Sequence, residues 1–68
     1  MGWGSGVYVF DEIVGQIVND EKLSERKKID LIKTVAVSLA NQDWDTEEDS
    51  EYIGHDVVRR AFWELYNW

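Results

Sequence analysis

Apolar residues recur at helical spacing in three stretches of this 68-residue chain. The first stretch predicts a helix over residues 7–19, because one broad face repeats at i, i+3, i+4, i+7 and i+8. That face consists of Phe10, Ile13, Val14, Ile17 and Val18. Gly15 lies in the middle of this helix, where glycine costs roughly 1 kcal/mol relative to alanine. The pattern leaves two interpretations of Gly15 open, a tolerated cost or the close approach of another helix.

The second stretch predicts the longest helix, over residues 24–41, with Ser24 as its N-cap. Its main apolar face consists of Ile29, Ile32, Ala36, Leu39 and Ala40. A second apolar side is formed by Leu31, Val35 and, less regularly, Val37. A helix that is apolar over more than half of its circumference needs more than one neighbour. This helix is therefore predicted to be the central one or to lie at a subunit interface.

The third stretch predicts a helix over residues 55–67, with a buried face of Val58, Ala61, Phe62 and Leu65 and with Val57 beside that face. The glycine-rich residues 1–6 are predicted to form a flexible lead-in, although Trp3 is expected to pack on the body of the domain. The chain contains no proline, and no strand-like alternation persists. The sequence thus predicts one all-α domain over residues 1–68, a compact three-helix domain that forms a homodimeric helical bundle.

An acidic loop, residues 43–53, is predicted between the second and third helices, with one short helical turn after Thr46. Aligned from Asp43 as an EF-hand loop, it has Glu48 where glycine is required and Gly54 where a bidentate glutamate is required. A calcium site is therefore not predicted. The loop is expected to be solvated or salt-bridged and to present an acidic surface of Asp43, Asp45, Glu47, Glu48, Asp49 and Glu51.

The charge and composition of the chain narrow the class of partner. A net charge of −7 argues against direct binding to nucleic acid and to an anionic membrane, and it favours a basic partner. The absence of cysteine excludes disulfides and thiolate metal sites, so neither a metal nor another cofactor is predicted. A domain this small is only marginally stable alone, and association between subunits is the stabilising device still open to it.

Catalytic constellations and membrane spans are not evident in the sequence. His55 lies beside Asp56 near the predicted start of the third helix, and no cysteine is present to act as its nucleophile. Ser50 lies in the acidic loop and not in a recognisable nucleophile turn. No apolar run approaches the ~20 residues that cross a bilayer. We therefore predict a cytoplasmic protein that is not an enzyme.

Five of the seven basic residues lie between Lys22 and Lys33. The simplest interpretation pairs this basic cluster with the acidic residues 43–51, either within one chain or across two. Such pairing would set orientation more than strength, because exposed ion pairs contribute only ~0–1 kcal/mol.

Aromatic residues give the strongest indication of a binding function. Trp63 points away from the apolar face of the third helix, and Tyr8 lies just off the face of the first. Tryptophan and tyrosine are enriched at interface hot spots, although a domain this small could use every aromatic residue to complete its core. The predicted partner surface consists of Tyr8, Leu31, Val35, Trp44, Trp63, Tyr66 and Trp68.

These observations predict a non-catalytic protein–protein interaction module, a small homodimeric adaptor or modulator. Its partners would be a second copy of itself and another protein with a basic or apolar surface. The alternative is an acidic decoy that mimics nucleic acid and occupies the binding site of a basic protein. The carboxylates of residues 43–51 motivate this alternative, which requires them to be spread at phosphate-like spacing.

The opening residues 2–5 and the acidic residues 43–52, together with Val57-Val58 and Ala61-Phe62, form a recognisable combination. It resembles a group of small acidic proteins encoded by actinobacteria and their phages, in which an acidic segment containing tryptophan precedes a final helix. The resemblance covers most of the chain through short motifs. It implies a cytoplasmic setting, and no activity or functional residue is transferred from it.

Overall fold

Three α-helices surround a single apolar core in the computed structural model, which describes residues 4–67. They are α1 (Gly6–Val18), α2 (Glu25–Ala40) and α3 (Asp56–Tyr66), and a short 3-10 turn (Glu47–Asp49) lies between α2 and α3. The described part of the chain contains no strand. The three-helix prediction is confirmed, with each helix end one residue from its predicted position. α2 packs against both α1 and α3 and is the central helix, as its wide apolar surface predicts.

Local signals in the sequence determine where α2 begins. The Oγ atom of Ser24 accepts a hydrogen bond of 3.1 Å from the backbone N–H of Lys27, so Ser24 is the predicted N-cap. Before it, the short connection from α1 turns the chain back on itself. The Nζ atom of Lys28 then donates a hydrogen bond of 3.0 Å to the carbonyl oxygen of Val18. This contact joins the start of α2 to the end of α1.

The end of α2 carries Trp44 into the core. Asp43 has a left-handed backbone conformation, with φ of 68°. The Trp44 N–H donates to the Leu39 carbonyl at 3.0 Å, and the Asp43 N–H donates to the Ala40 carbonyl at 3.1 Å. These two bonds form a Schellman motif, which normally brings the residue after the left-handed position onto the last turn of the helix. Trp44 is only 1% exposed as a result. Its assignment to the partner surface is therefore wrong.

The core is organised around a row of aromatic rings. The Phe10 ring lies 4.8 Å from that of Trp44 and 5.7 Å from that of Phe62, measured between centroids. The buried apolar residues are Phe10, Val14, Ile29, Ile32, Ala36, Leu39, Trp44, Val57, Val58, Ala61 and Phe62. Ile13 is not among them and is 40% exposed, although it belongs to the apolar face predicted for the first helix.

Gly6 is the first residue of α1 and is buried. A Cβ atom at this position would lie 2.5 Å from Cδ1 of Trp44, so the indole ring occupies the space that any other side chain would need. Assigning Gly6 to a flexible lead-in is therefore a mistake, since the residue packs against the core. Trp3, which was expected to pack on the domain, lies outside the described residues.

Glu64 of α3 is the ion-pair centre of the molecule. Arg26 of α2 contacts both of its carboxylate oxygens, at 2.9 and 2.6 Å. Lys33 and Arg60 each add a contact of 3.0 Å. Arg26 also pairs with Asp30 at 2.7 Å. The basic cluster of α2 thus pairs with α3 and with its own helix, and the expected pairing with residues 43–51 is not found among the described residues.

Replacing Glu64 with glutamine is expected to destabilise the protein at neutral pH and to have progressively less effect in acid. Hydrogen bonds from Arg26 and Lys33 hold the pKa of Glu64 well below its usual value of 4.5. A lowered pKa contributes stability above about pH 4.5, and this contribution is lost as the pH falls from there towards the pKa of the folded state. Urea unfolding midpoints of the two proteins should converge as the pH is lowered from 7 to 3. A difference independent of pH would contradict this expectation.

Candidate functional site

A wide groove lies between α1 and residues 49–52 and has a volume of about 1040 Å³. Its floor contains Gly15 and the half-buried side chains of Val7 and Tyr52. Tyr8 forms a wall and is 76% exposed, the most exposed of the large apolar side chains in the described chain. The remaining lining residues are Gly4, Asp11, Glu12, Gln16, Asn19, Asp49 and Glu51. We call this surface the α1 groove.

Asp11 holds the far side of the α1 groove in place. Its Oδ1 atom accepts a short hydrogen bond from the buried hydroxyl of Ser50. Its Oδ2 atom accepts a second bond, of 3.1 Å, from the backbone N–H of Glu51. The Ser50 Oγ atom in turn accepts a bond of 3.1 Å from the N–H of Tyr52. One carboxylate of α1 therefore fixes three consecutive residues of the acidic segment.

Gly15 allows that segment to approach α1 closely. A Cβ atom at Gly15 would lie 2.6 Å from the hydroxyl oxygen of Tyr52. Of the two interpretations of Gly15, close approach is therefore correct, but the approaching group is a loop tyrosine and not another helix. A larger residue would push the Tyr52 ring out of the floor of the groove.

The charge of the α1 groove has one sign. Asp11, Glu12, Asp49 and Glu51 line it, and no lysine or arginine does. The cause lies in the sequence, because residues 4–21 and 34–58 contain no lysine or arginine at all. Every ion pair found within residues 4–67 involves Glu64 or Asp30, both remote from the groove lining. The groove is therefore a concave acidic surface without a countercharge from the described chain.

A second candidate surface consists of partly exposed apolar side chains on α1 and α2, two helices that pack against each other. Val9 and Ile13, one turn apart on α1, are 37% and 40% exposed. At about 100° per residue, Ile13 lies about 160° around the helix from Gly15, on the side away from the groove. Leu31 and Val35 of α2 are half-buried. They follow Lys28 at helical spacing, and Lys28 donates a hydrogen bond to the Val18 carbonyl at the end of α1. We call Val9, Ile13, Leu31 and Val35 the α1–α2 strip.

Trp63 lies on a third surface, the outer side of α3. It is 47% exposed, and the guanidinium carbon of Arg60 lies 4.8 Å from its ring centroid. Asp56 and Arg59 border the same shallow depression. The arrangement is a cation–π contact within one helix. It positions an arginine and a tryptophan together on the protein surface.

The predicted partner residues do not form one surface. Tyr8 lies in the α1 groove, Leu31 and Val35 in the α1–α2 strip, and Trp63 on α3. Tyr66 packs on Phe62 with ring centroids 6.0 Å apart. Trp44 is in the core, as described above, and Trp68 lies outside the described residues. The chain therefore has several separate candidate surfaces and not a single aromatic patch.

Glu47 does not belong to the acidic surface predicted at residues 43–51. Its side chain is buried, whereas Asp43, Asp45, Glu48, Asp49 and Glu51 are exposed. Partial burial raises the pKa of Tyr66, and the negative charge of Glu47 and a hydrogen bond to its carboxylate raise it further. The predicted short turn after Thr46 is present. The segment as a whole is folded against α1 and the core, and is not merely a solvated loop.

Within residues 4–67, no group of three or more histidine, aspartate or glutamate side chains is placed to hold a metal ion. His55 is exposed at the N-cap position of α3. No helix in the same range is long and apolar enough to cross a membrane.

Asp11, Gly15 and Tyr52 are functional candidates that sequence reasoning did not identify. Periodicity identifies the apolar face of the first helix and gives no role to a polar residue such as Asp11. A sequence signal existed in its neighbour Gly15, since glycine within a helix often marks close approach. No family model matches this chain, and no match was found among curated proteins or solved structures. The resemblance to small acidic actinobacterial proteins therefore stays a prediction.

Proposed function

We propose that this protein is a cytoplasmic, non-catalytic protein–protein interaction module that acts as a homodimer, in the role of a small adaptor or modulator. The observation that supports this proposal is the α1–α2 strip, which exposes Val9 and Ile13 beside the half-buried Leu31 and Val35. Partly exposed apolar side chains on two packed helices gain free energy when a second surface covers them.

A second copy is a suitable cover for this strip. A two-fold axis through the strip would place each α1 against α1 of the other copy, an isologous arrangement in which the same residues meet themselves. Burying a fully exposed valine or isoleucine contributes about 1.5–3 kcal/mol. Val9 and Ile13 are 37% and 40% exposed, so each would contribute about 0.6–1.2 kcal/mol, and the symmetry doubles each contribution. A domain of 68 residues has a small core, so this gain would be a substantial part of its stability.

The variant Ile13→Glu is expected to shift the protein to monomers. It removes apolar burial twice per dimer, a loss of about 1–2.5 kcal/mol for a side chain that is 40% exposed, and it places two carboxylates in the interface, so association should weaken by about tenfold or more. The measurement is sedimentation equilibrium over a wide range of protein concentration. Far-UV circular dichroism establishes that the variant is folded, and Ile13 is exposed enough for the fold to tolerate the change.

Val37→Glu is the matched control. Val37 is 43% exposed, much like Ile13, but it lies on the other side of α2, in a depression with Leu65. Both variants add one negative charge per copy, so their long-range repulsion is the same. Added salt should strengthen the wild-type dimer, because each copy has a charge of −7 and screening reduces their repulsion. A wild-type protein that stays monomeric at every concentration and salt level would overturn the homodimer proposal.

The alternative function, an acidic decoy of nucleic acid, is supported by the exposure of five carboxylates in residues 43–51, namely Asp43, Asp45, Glu48, Asp49 and Glu51. It predicts binding to a basic nucleic-acid-binding protein that weakens to a similar degree when any of these carboxylates is neutralised. Dimerisation through the α1–α2 strip does not involve these residues. The two functions can therefore be separated by which variants weaken binding.

A further inference from the structure

The carboxylates on the rim of the α1 groove have no cation to neutralise them within the described chain. Arg26, Lys33 and Arg60 converge on Glu64, and Lys28 is bound to a backbone carbonyl of α1. Two exposed carboxylates of the groove, Glu12 and Glu51, form no ion pair among residues 4–67. Their mutual repulsion is lowered when a cationic group from another molecule enters the groove.

The remainder of the groove is suited to the aliphatic part of a basic side chain. Tyr8 presents its ring at the wall, and Val7 and Tyr52 provide apolar surface near the floor. Lysine and arginine place their methylene stems along such surface and keep their charged heads outside it. An arginine or lysine above an exposed tyrosine ring also gains from the cation–π interaction. Charge and shape thus favour the same kind of side chain.

The groove is also held in one shape before any partner arrives. Asp11 fixes Ser50 and Glu51 through two hydrogen bonds, and the Tyr52 hydroxyl fits against Gly15. A site whose walls are already ordered loses little conformational entropy on binding. This distinguishes the groove from exposed carboxylates that do not line it, such as Asp43 and Asp45.

We infer that the α1 groove binds a lysine- and arginine-rich segment of a partner protein in an extended conformation. The inference rests on the proposed interaction function and names the class of partner, but it uses a surface separate from the α1–α2 strip. Basic side chains of the segment lie over Tyr8 and Tyr52, and their charged ends reach Glu12, Asp49 and Glu51. Dimerisation and partner binding then respond oppositely to salt, since salt screens repulsion in one and attraction in the other.

The test is fluorescence anisotropy with a short labelled peptide of alternating arginine and serine. The double variant Glu12→Gln/Glu51→Gln is expected to weaken binding by about tenfold or more, because it removes two charge-assisted contacts. The control Asp43→Asn/Asp45→Asn removes the same charge outside the groove and should weaken binding by less than about threefold. Tyr8→Ala, which changes no charge, should also weaken binding. Equal losses in the two double variants would overturn the inference and indicate diffuse attraction.

A second measurement locates the peptide on the protein. Amide chemical shifts in the nuclear magnetic resonance spectrum should change most at Gly15, Gln16 and Tyr52, and little on the outer side of α3. Repeating the titration with Ile13→Glu separates this inference from the homodimer proposal, because a monomer keeps an intact groove. Tight binding to that variant with shifts in the groove supports the inference even if the wild type proves monomeric. Shifts centred elsewhere, or no binding by the wild type, would overturn it.

Discussion

Replacing Trp44 with alanine is expected to cost about 3–5 kcal/mol of unfolding free energy, among the largest losses that a single substitution causes. Trp44 is 1% exposed, lies against Phe10, and fills the space beside Gly6. A chain of 68 residues has a total stability of about 3–10 kcal/mol. The measurement is urea unfolding followed by far-UV circular dichroism, which does not depend on the fluorescence of the residue removed.

Trp44→Phe is the control for this prediction. A phenylalanine keeps the ring contact with Phe10 and part of the buried apolar area. It also removes the indole N–H, which is buried and has no hydrogen-bond partner within residues 4–67. We therefore expect a folded variant with a smaller loss of stability than the alanine variant. If Trp44→Ala retained wild-type stability, Trp44 would have to be at a solvent-exposed or interfacial position, as the sequence pattern had suggested.

The helices could be predicted from the sequence because their signals are local. The repeat of apolar residues and the N-cap at Ser24 lie within single segments, and the structure places each helix within one residue of the prediction. The width of the apolar surface on α2 also predicted that this helix would be central. Even so, periodicity does not show how much of an apolar face is covered. Ile13 lies on the predicted face of the first helix but is exposed, since the width of the buried part depends on which neighbours cover it.

Residues 43–53 could not be predicted equally well, because their structure depends on contacts with distant parts of the chain. Ser50 and Glu51 both bond to Asp11, which is 39 and 40 residues away in the sequence. The high acidic content of this segment indicated that it would be exposed to solvent. It gave no sign that Trp44, Glu47 and Ser50 are buried. Trp44 offered one local signal, because an apolar residue that directly follows a left-handed residue at a helix end often packs back onto that helix. Asp43 is an unusual residue for that left-handed position, where glycine is commoner.

The α1 groove is therefore a tertiary feature, created where an acidic helix meets an acidic segment. Two segments of like charge would repel each other unless specific bonds held them together. Asp11 supplies these bonds by accepting from the Ser50 hydroxyl and the Glu51 N–H. Gly15 supplies the space that Tyr52 requires. The same contacts that stabilise the fold thus create the surface to which we assign partner binding.

Asp11→Ala is expected to destabilise the protein by about 1–3 kcal/mol and to disrupt the α1 groove. The variant removes the acceptor of the buried Ser50 O–H group and the acceptor of the Glu51 N–H. A double-mutant cycle with Ser50→Ala measures the coupling directly by urea unfolding, and two residues in contact should couple by about 0.5–3 kcal/mol. The loss from Asp11→Ala should be smaller when Ser50 is already alanine, because no hydroxyl then remains to be satisfied. Strictly additive losses would show that the Asp11–Ser50 bond does not hold the acidic segment on α1.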